Sequence, residues 1–477
     1  MRYVRSVLRW GLLALGIVFA ARWLMKRLWR ILLSPTDQTT PPIEPHEVEP
    51  GLRRIIVSDL HWGGGDRLDD FVSDDTFAGF ITTYVCADEP TELVLAGDTF
   101  EFLQVRLPDV ADSNWSAEAA TARLQRILSA HARAVEALRI FIAQPGNQLT
   151  LLIGNHDFEL HYQAAKHVLR AALGVADSDK RVRFGLRYEG DGIYLEHGNQ
   201  YDAWNRFVRF EGISQPFEVV RGTWIVKEII NPLEDDPLDI APLLDNVKPT
   251  RAFLWYLLSM PRLRHRPSRR YFVHGLLRAL WAATRPRNLR HPVLQMSKRM
   301  EGNAGDEQNA QAMQAADESQ SQVYGLRSVV EEVKQAGARL FRRGAPESSE
   351  AALEQLGQEA ERQLRREIRG FKRTFARAMA QIAASPDHSH NTVFVCGHTH
   401  LAQVVQLNER QTYYNTGTWT MVIRDVAAAN GGQRKFPFLE VRYTHTGAPP
   451  RADLLVWVGR DVPPHPWRMT DEVEARR

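Results

Sequence analysis

Hydrophobic positions along this chain follow two rhythms. From Arg53 onward, short and nearly unbroken apolar runs recur, each closed by a glycine or a polar turn: "RRIIVSDLH", "TELVLAGDTFE", "QLTLLIGNHD", "GIYLEHGN" and, after a long interval, "NTVFVCGHTH". Continuous apolar strands of this kind belong to sheets covered on both faces. Helical patterns between them predict α/β layering. The second rhythm is helical: between about Ser349 and Ala384, apolar residues stand at 353, 356, 360, 364, 368, 371, 375, 379 and 382. That spacing predicts one long helix with an apolar face packed on a sheet. Strand-like runs then return as "TYYNTGTW", "FPFLEVRY" and "DLLVWVGRD".

The N-terminus breaks the pattern. Twelve apolar residues run from Trp10 to Ala21 before Arg22 interrupts. A bilayer-spanning helix needs about 20 such residues, so residues 1–33 are expected to associate with a membrane, either spanning it with snorkelling arginines or lying in its interface. A signal peptide fits less well, because no clean small-residue cleavage site precedes the returning basic residues. The organisation expected is therefore a membrane-associated helix (1–33), a Pro-rich linker (34–52), a core formed by 53–202 and 390–460, a helical and basic insertion (203–389), and a tail (461–477). Within the insertion, "EGNAGDEQNAQAMQAADESQSQ" at 301–322 is polar and low in complexity, and is expected to be a mobile loop.

The net charge of +3 hides an uneven distribution. Residues 1–33 hold seven Arg/Lys and no acid; residues 246–300 hold thirteen and again no acid. These stretches suit an anionic bilayer surface or a phosphate-bearing lipid, and the alternative is a solvated basic helix pair. No nucleic-acid-binding module is recognisable, so no nucleic-acid partner is expected. The two cysteines, Cys86 and Cys396, each lie in an apolar segment and are expected to be buried free thiols in a reducing compartment.

Candidate chemistry gathers at the strand ends. "SDLH" offers Asp59 and His61, "GDTFE" Asp98, "GNHD" Asn155, His156 and Asp157, "EHGN" His197, and "GHTH" His398 and His400. Any one of these could be a helix cap, a turn or a half-buried histidine. Five in succession, all rich in Asp, Asn and His, point instead to one crevice at the carboxyl ends of the strands. A pair of divalent ions there could clamp the attacking and leaving oxygens of a phosphoryl group.

The wording and order of "DLH", "GDTFE", "GNHD", "HG" and "GHTH" resemble the calcineurin-like metallophosphoesterases over roughly residues 53–202 and 390–460. The resemblance implies an α/β (α+β) fold, a double β-sandwich flanked by helices, here with a large, mostly helical insertion and the N-terminal membrane-associated helix. It also implies two metal sites. One is formed by Asp59, His61, Asp98 and His400, and the other by Asp98, Asn155, His197 and His398, with Asp98 bridging. The shell suits Mn²⁺, with Fe²⁺, Zn²⁺ or Mg²⁺ as alternatives. By the same resemblance His156 contacts the phosphoryl group or protonates the leaving oxygen, and Asp157 orients its ring. His398 and His400, two apart on an extended segment, are expected to face the same side.

In motif wording the chain is nearest to the UDP-2,3-diacylglucosamine pyrophosphatase group, which acts at the cytoplasmic face of the bacterial inner membrane. It departs by having His156 where that group usually has Arg, Asn199 where it has Asp, and a much longer insertion. The expectation is thus a dinuclear-metal hydrolase cleaving a phosphodiester or pyrophosphate bond of a nucleotide-linked or lipid-linked substrate. The alternatives are a phosphomonoesterase, cyclic-nucleotide or protein phosphatase acting on a soluble substrate, and a non-catalytic, metal-stabilised scaffold.

Overall fold

Three parallel strands, β1 (Arg53–Val57), β2 (Thr91–Ala96) and β3 (Gln148–Leu152), lie side by side and set the frame of the molecule. The computed structural model describes residues 49–86, 89–202, 204–214, 217–234, 248, 349–420 and 435–468. The expected membrane helix, most of the linker and of the basic segment, the 301–322 loop and the end of the tail lie outside these. Among the described residues no helix is long and apolar enough to cross a membrane.

Beyond β3 comes β4 (Val182–Gly185), also parallel. The hairpin β5 (Arg187–Gly190) and β6 (Ile193–Glu196) then enters a second sheet, where β6 pairs in parallel with β7 (Val393–Cys396). After β8 (Gln403–Gln406) the chain returns as β9 (Thr412–Asn415), parallel to β7. The last three strands, β10 (Phe436–Arg442), β11 (Arg451–Trp457) and β12 (His465–Pro466), extend the first sheet antiparallel from β1. The orders are β12-β11-β10-β1-β2-β3-β4 and β5-β6-β7-β9-β8.

Period-two alternation explains the layers. Ile55, Val57, Leu93, Leu95, Leu149 and Leu151 point to one core; their neighbours Ile56, Val94, Ala96 and Leu152 point to another, shared with Leu195, Val393 and Val395 of the second sheet. The second core is the interior of a sandwich. The first is roofed by helices α1 (Asp74–Phe80), α2 (Ala117–Ala130), α3 (Ala132–Ala143) and α4 (Gln163–Ala172), through residues such as Phe77, Leu124, Leu138 and Leu169. The outer face of the second sheet is covered by α5 (Ser349–Ala383), whose Phe371, Phe375, Met379 and Ile382 meet Tyr194, Phe394 and Tyr413. The apolar stripe of this long helix is therefore a layer of the fold, with Leu364 also buried. Positions 353, 356 and 360 of that stripe lie outside the described side chains. The structure is thus a mixed α/β arrangement of two sheets and several helices. Both cysteines are free; Cys396 is buried against Met379, whereas Cys86 is only half-buried.

Candidate metal centre

The strand ends deliver the predicted residues to one rim. Asp59 and His61 follow β1, Asp98 follows β2, Asn155 and His156 follow β3, His197 follows β6, and His398 and His400 follow β7. Since β1, β2 and β3 are parallel neighbours and β6 and β7 are too, their carboxyl ends can open together.

The backbone there is bent out of its ordinary range. Asp59, His61, Asp98, His398 and His400 have φ between 49° and 63°, and among the described non-glycine residues Asp191 alone shares that region. Left-handed backbone costs an L-residue about 1–2 kcal/mol, and its concentration at one rim marks a place where the surroundings dictate side-chain direction. His398 and His400 are accordingly not on an extended segment. β7 stops at Cys396, and both histidines turn in the left-handed conformation, so strand alternation does not set their directions. Close approach also requires glycine. A Cβ at Gly397 would lie 2.5 Å from Asp59 Oδ2 and from Ser58 Oγ, and one at Gly154 would strike Asp98 Oδ1.

Three groups of donor atoms result among the described residues, of which His61, Glu101 and His156 form one; the other two carry the expected pair of sites. Asp59, His61 and His400 form the first; Asp98, His197 and His398 form the second. In the first, His61 Nε2 and His400 Nε2 are 2.9 Å apart, and His400 Nε2 is 3.3 Å from Asp59 Oδ1. Asp98 Oδ2 stands between the groups, 3.9 Å from His61 Nε2 and 3.0 Å from His197 Nε2. Metal–ligand bonds of about 2.0–2.2 Å place neighbouring ligand atoms roughly 3–3.5 Å apart, and the separations seen, from 2.9 Å to the 4.0 Å between Asp59 Oδ1 and His61 Nε2, straddle that range. Two imidazole nitrogens facing each other at 2.9 Å need either one shared proton or a cation between them.

The unpartnered atoms point the same way. His398 Nδ1, His400 Nδ1 and both side-chain polar atoms of Asn155 are buried without a hydrogen-bond partner among the described residues. Buried polar groups left like this carry a penalty that a bound ion relieves. The donors present fit a divalent ion: carboxylate and imidazole, with an amide oxygen at hand.

Neighbours fix the other ends of these groups. The main-chain amide of His398 donates to Asp59 at 3.0 Å, and that of His156 donates to Asp98 Oδ1 at 2.8 Å. His197 Nδ1 donates to the Ala96 carbonyl at 2.9 Å, which turns Nε2 toward Asp98 Oδ2, 3.0 Å away. Burial works against a charged His197, yet the Asp98 carboxylate outweighs it and lifts the imidazole to about 9. Asp59 is held down to about 2, because the His400 hydrogen bond and the charges of His400 and His197 overcome a burial effect in the opposite sense.

Three residues outside the expected set belong to this site. Glu101 Oε2 is 2.8 Å from His61 Nδ1 and 2.5 Å from His156 Nδ1. The partner of the His156 ring is therefore Glu101 and not Asp157. Asp157 instead accepts from the Gly154 amide at 2.6 Å and the Thr99 amide at 2.8 Å, bracing the two ligand-bearing turns against each other. Burial, then the nearby Asp98 charge, pushes Asp157 up to about 7. Asp202 Oδ2 lies 3.1 Å from His398 Nε2. Lys248, counted in the sequence only among the charges of the basic segment, is buried near the first group. Burial and then the Lys248 charge hold His400 well below the usual imidazole range. Glu101 was visible in "GDTFE" as a carboxylate three residues after a ligand; Asp202 and Lys248 carry no local signal.

Comparison with protein-family models and with curated proteins finds no match to this chain.

Proposed function

We propose that this protein is a phosphohydrolase that works with two divalent ions, most simply Mn²⁺, at the centre formed by Asp59, His61, Asp98, Asn155, His197, His398 and His400. The cleaved bond is a phosphodiester or pyrophosphate, as in the calcineurin-like metallophosphoesterases that the motifs resemble. The observation that carries the reading is the pair of adjacent donor groups, Asp59–His61–His400 and Asp98–His197–His398, with Asp98 Oδ2 3.9 Å from His61 Nε2 and His156 beside them.

A pair of bound ions would supply positive charge to the phosphoryl oxygens and make an attacking water more acidic. The chain supplies the rest. Glu101, held down to about 2 because the charge and hydrogen bonds of His156 and His61 outweigh its burial, is a carboxylate at neutral pH. It therefore accepts a proton-bearing Nδ1 from both rings. That leaves Nε2 of His61 bare as a donor atom, and Nε2 of His156 as the end able to hold a proton for a departing oxygen.

The substrate's lipid or nucleotide character rests on the basic, tryptophan-containing sequence of 246–300 and on residues 1–33, which apart from Lys248 are outside the described residues. A screen of phosphomonoesters, phosphodiesters and nucleotide pyrophosphates, lipid-linked ones included, tests the reading with Mn²⁺-loaded protein. Turnover on diesters or pyrophosphates that His156→Ala removes while both ions stay bound supports it. Two bound ions with no hydrolysis of any phosphoester would overturn it in favour of a metal-stabilised scaffold.

A further inference from the structure

His61 and His197 turn Nδ1 away from the centre, toward Glu101 and the Ala96 carbonyl, and present Nε2. His398 is turned the opposite way: its Nε2 meets Asp202 and its Nδ1 is the unpartnered atom. We propose that Asp202 is the positioning residue of His398, and that through Asp202 the segment following the second sheet's first hairpin is tied to the metal centre. The inference rests on the proposed reading only in treating His398 as a ligand.

Asp202 is built into its place. Its Oδ1 accepts from the Trp204 amide at 2.9 Å and its Oδ2 from Asn205 Nδ2 at 2.9 Å, and the carboxylate is fully enclosed. Its own amide donates to the Asn199 carbonyl at 3.1 Å, and its carbonyl receives the Asn205 and Arg206 amides at 2.9 Å. Asn199, the neutral residue of "HGN", donates Nδ2 to the Asn205 carbonyl at 3.1 Å, so it knots this turn. A carboxylate can only accept, so His398 must donate from Nε2, and Nδ1 is left with its lone pair. On the far side the Phe375 ring of α5 lies stacked on His398, with centroids 5.8 Å apart. The ring is gripped from two elements that arrive from distant parts of the chain.

Residues 204–234 continue from that turn and reach the other half of the site. Gly222 packs against Asn205 so closely that a Cβ there would overlap the Asn205 amide. Further on, Asn231 Nδ2 donates to the Leu103 carbonyl at 2.9 Å, and Gln104 Nε2 donates to Glu234 at 3.1 Å. Leu103 and Gln104 stand two and three residues after Glu101 in the loop after β2. One stretch of the insertion thus braces the partner of His398 and the loop carrying the partner of His61 and His156.

The test uses the full chain with ¹⁵N-labelled histidine, loaded with Zn²⁺. Long-range proton–nitrogen spectra are expected to show His398 protonated at Nε2, and His61 and His197 protonated at Nδ1; His398 protonated at Nδ1 would overturn the proposal. Calorimetric Zn²⁺ titration adds a second readout. Asp202→Ala should weaken one binding step about 10–100-fold and leave the other nearly unchanged. Asp202→Asn, which keeps an acceptor, should recover most of that loss. Unchanged binding in a folded Asp202→Ala would sink the idea, and if that variant does not fold, the tautomer spectra of the wild type and Asp202→Asn decide. Neither readout involves turnover. A chain that binds two ions, shows His398 protonated at Nε2 and hydrolyses nothing refutes the phosphohydrolase and leaves Asp202 in its role.

Discussion

His61 and His156 lean on one atom. Glu101 Oε2 is within hydrogen-bond reach of Nδ1 of each ring, and the rings meet edge to face with centroids 4.6 Å apart. A candidate ligand and the candidate acid are therefore oriented by the same carboxylate, so removing it acts on both at once.

Glu101→Gln tests that coupling. The amide removes the charge and cannot offer two equivalent acceptors, so turnover should fall by about 10²–10⁴, and one ion should bind roughly 10–100-fold more weakly. Asp157→Asn should behave differently. Its carboxylate accepts two buried amides, so the main effect is a loss of stability of about 1–3 kcal/mol, read by denaturant unfolding. A neutral Glu101→Gln beside an inactive, fully stable Asp157→Asn would reverse the assignment.

The strands that build the site were legible because parallel strands covered on both faces are rich in continuous apolar residues, and "RRIIV", "TELVLA" and "QLTLL" each carry an apolar majority. The candidate donor groups at their ends were legible for the same reason: polar groups following an apolar run stand at a sheet's edge. Which carboxylate serves which ring was not. Asp157 is adjacent to His156 in sequence, but neighbouring side chains on a turn diverge, and the ring found Glu101, 55 positions away. Asp202 meets His398 across 196 positions, a distance over which no local pattern speaks. The short strands β4, β5 and β8 were also missed; four residues each, they take their conformation from the neighbour they pair with.

Gly397→Ala probes the close approach at the rim. A methyl there overlaps both Ser58 Oγ and Asp59 Oδ2, neither of which can withdraw, because Ser58 is also bonded to Thr416 and Asp59 receives the His398 amide. Overpacking of this kind costs about 1–3 kcal/mol. Metal affinity should fall together with the unfolding midpoint; an unchanged affinity would show that Asp59 is not held where the strand end places it.

Metal removal should destabilise the folded chain. Without a cation, the facing nitrogens of His61 and His400 and the unpartnered His398 Nδ1 must be satisfied by protons or left unpaired. An ion that binds only the folded state at 100 times its Kd adds about 2.7 kcal/mol. Thermal unfolding should therefore shift upward with Mn²⁺ or Zn²⁺ concentration and fall back on chelation. A midpoint indifferent to both would mean the groups do not hold an ion.

His131 gives a pH dependence away from the ions. It sits where α2 meets α3, with Nδ1 at 3.1 Å from Asp74 and Nε2 at 3.0 Å from Asp69, beside the Trp62 ring. Burial alone would strip its proton, but the two carboxylates outweigh burial and lift it to about 9. An unfolded histidine titrates near 6.5. The folded state thus holds the extra proton between those values, so its contribution is complete below pH ~6.5, shrinks as pH rises, and is gone above pH ~9. At ~1.4 kcal/mol per unit the swing is roughly 3 kcal/mol. His131→Gln should therefore be more destabilising at pH 6 than at pH 9.5, measured by urea unfolding of chelated protein. Equal losses at the two pH values would show that His131 is not charged between Asp69 and Asp74.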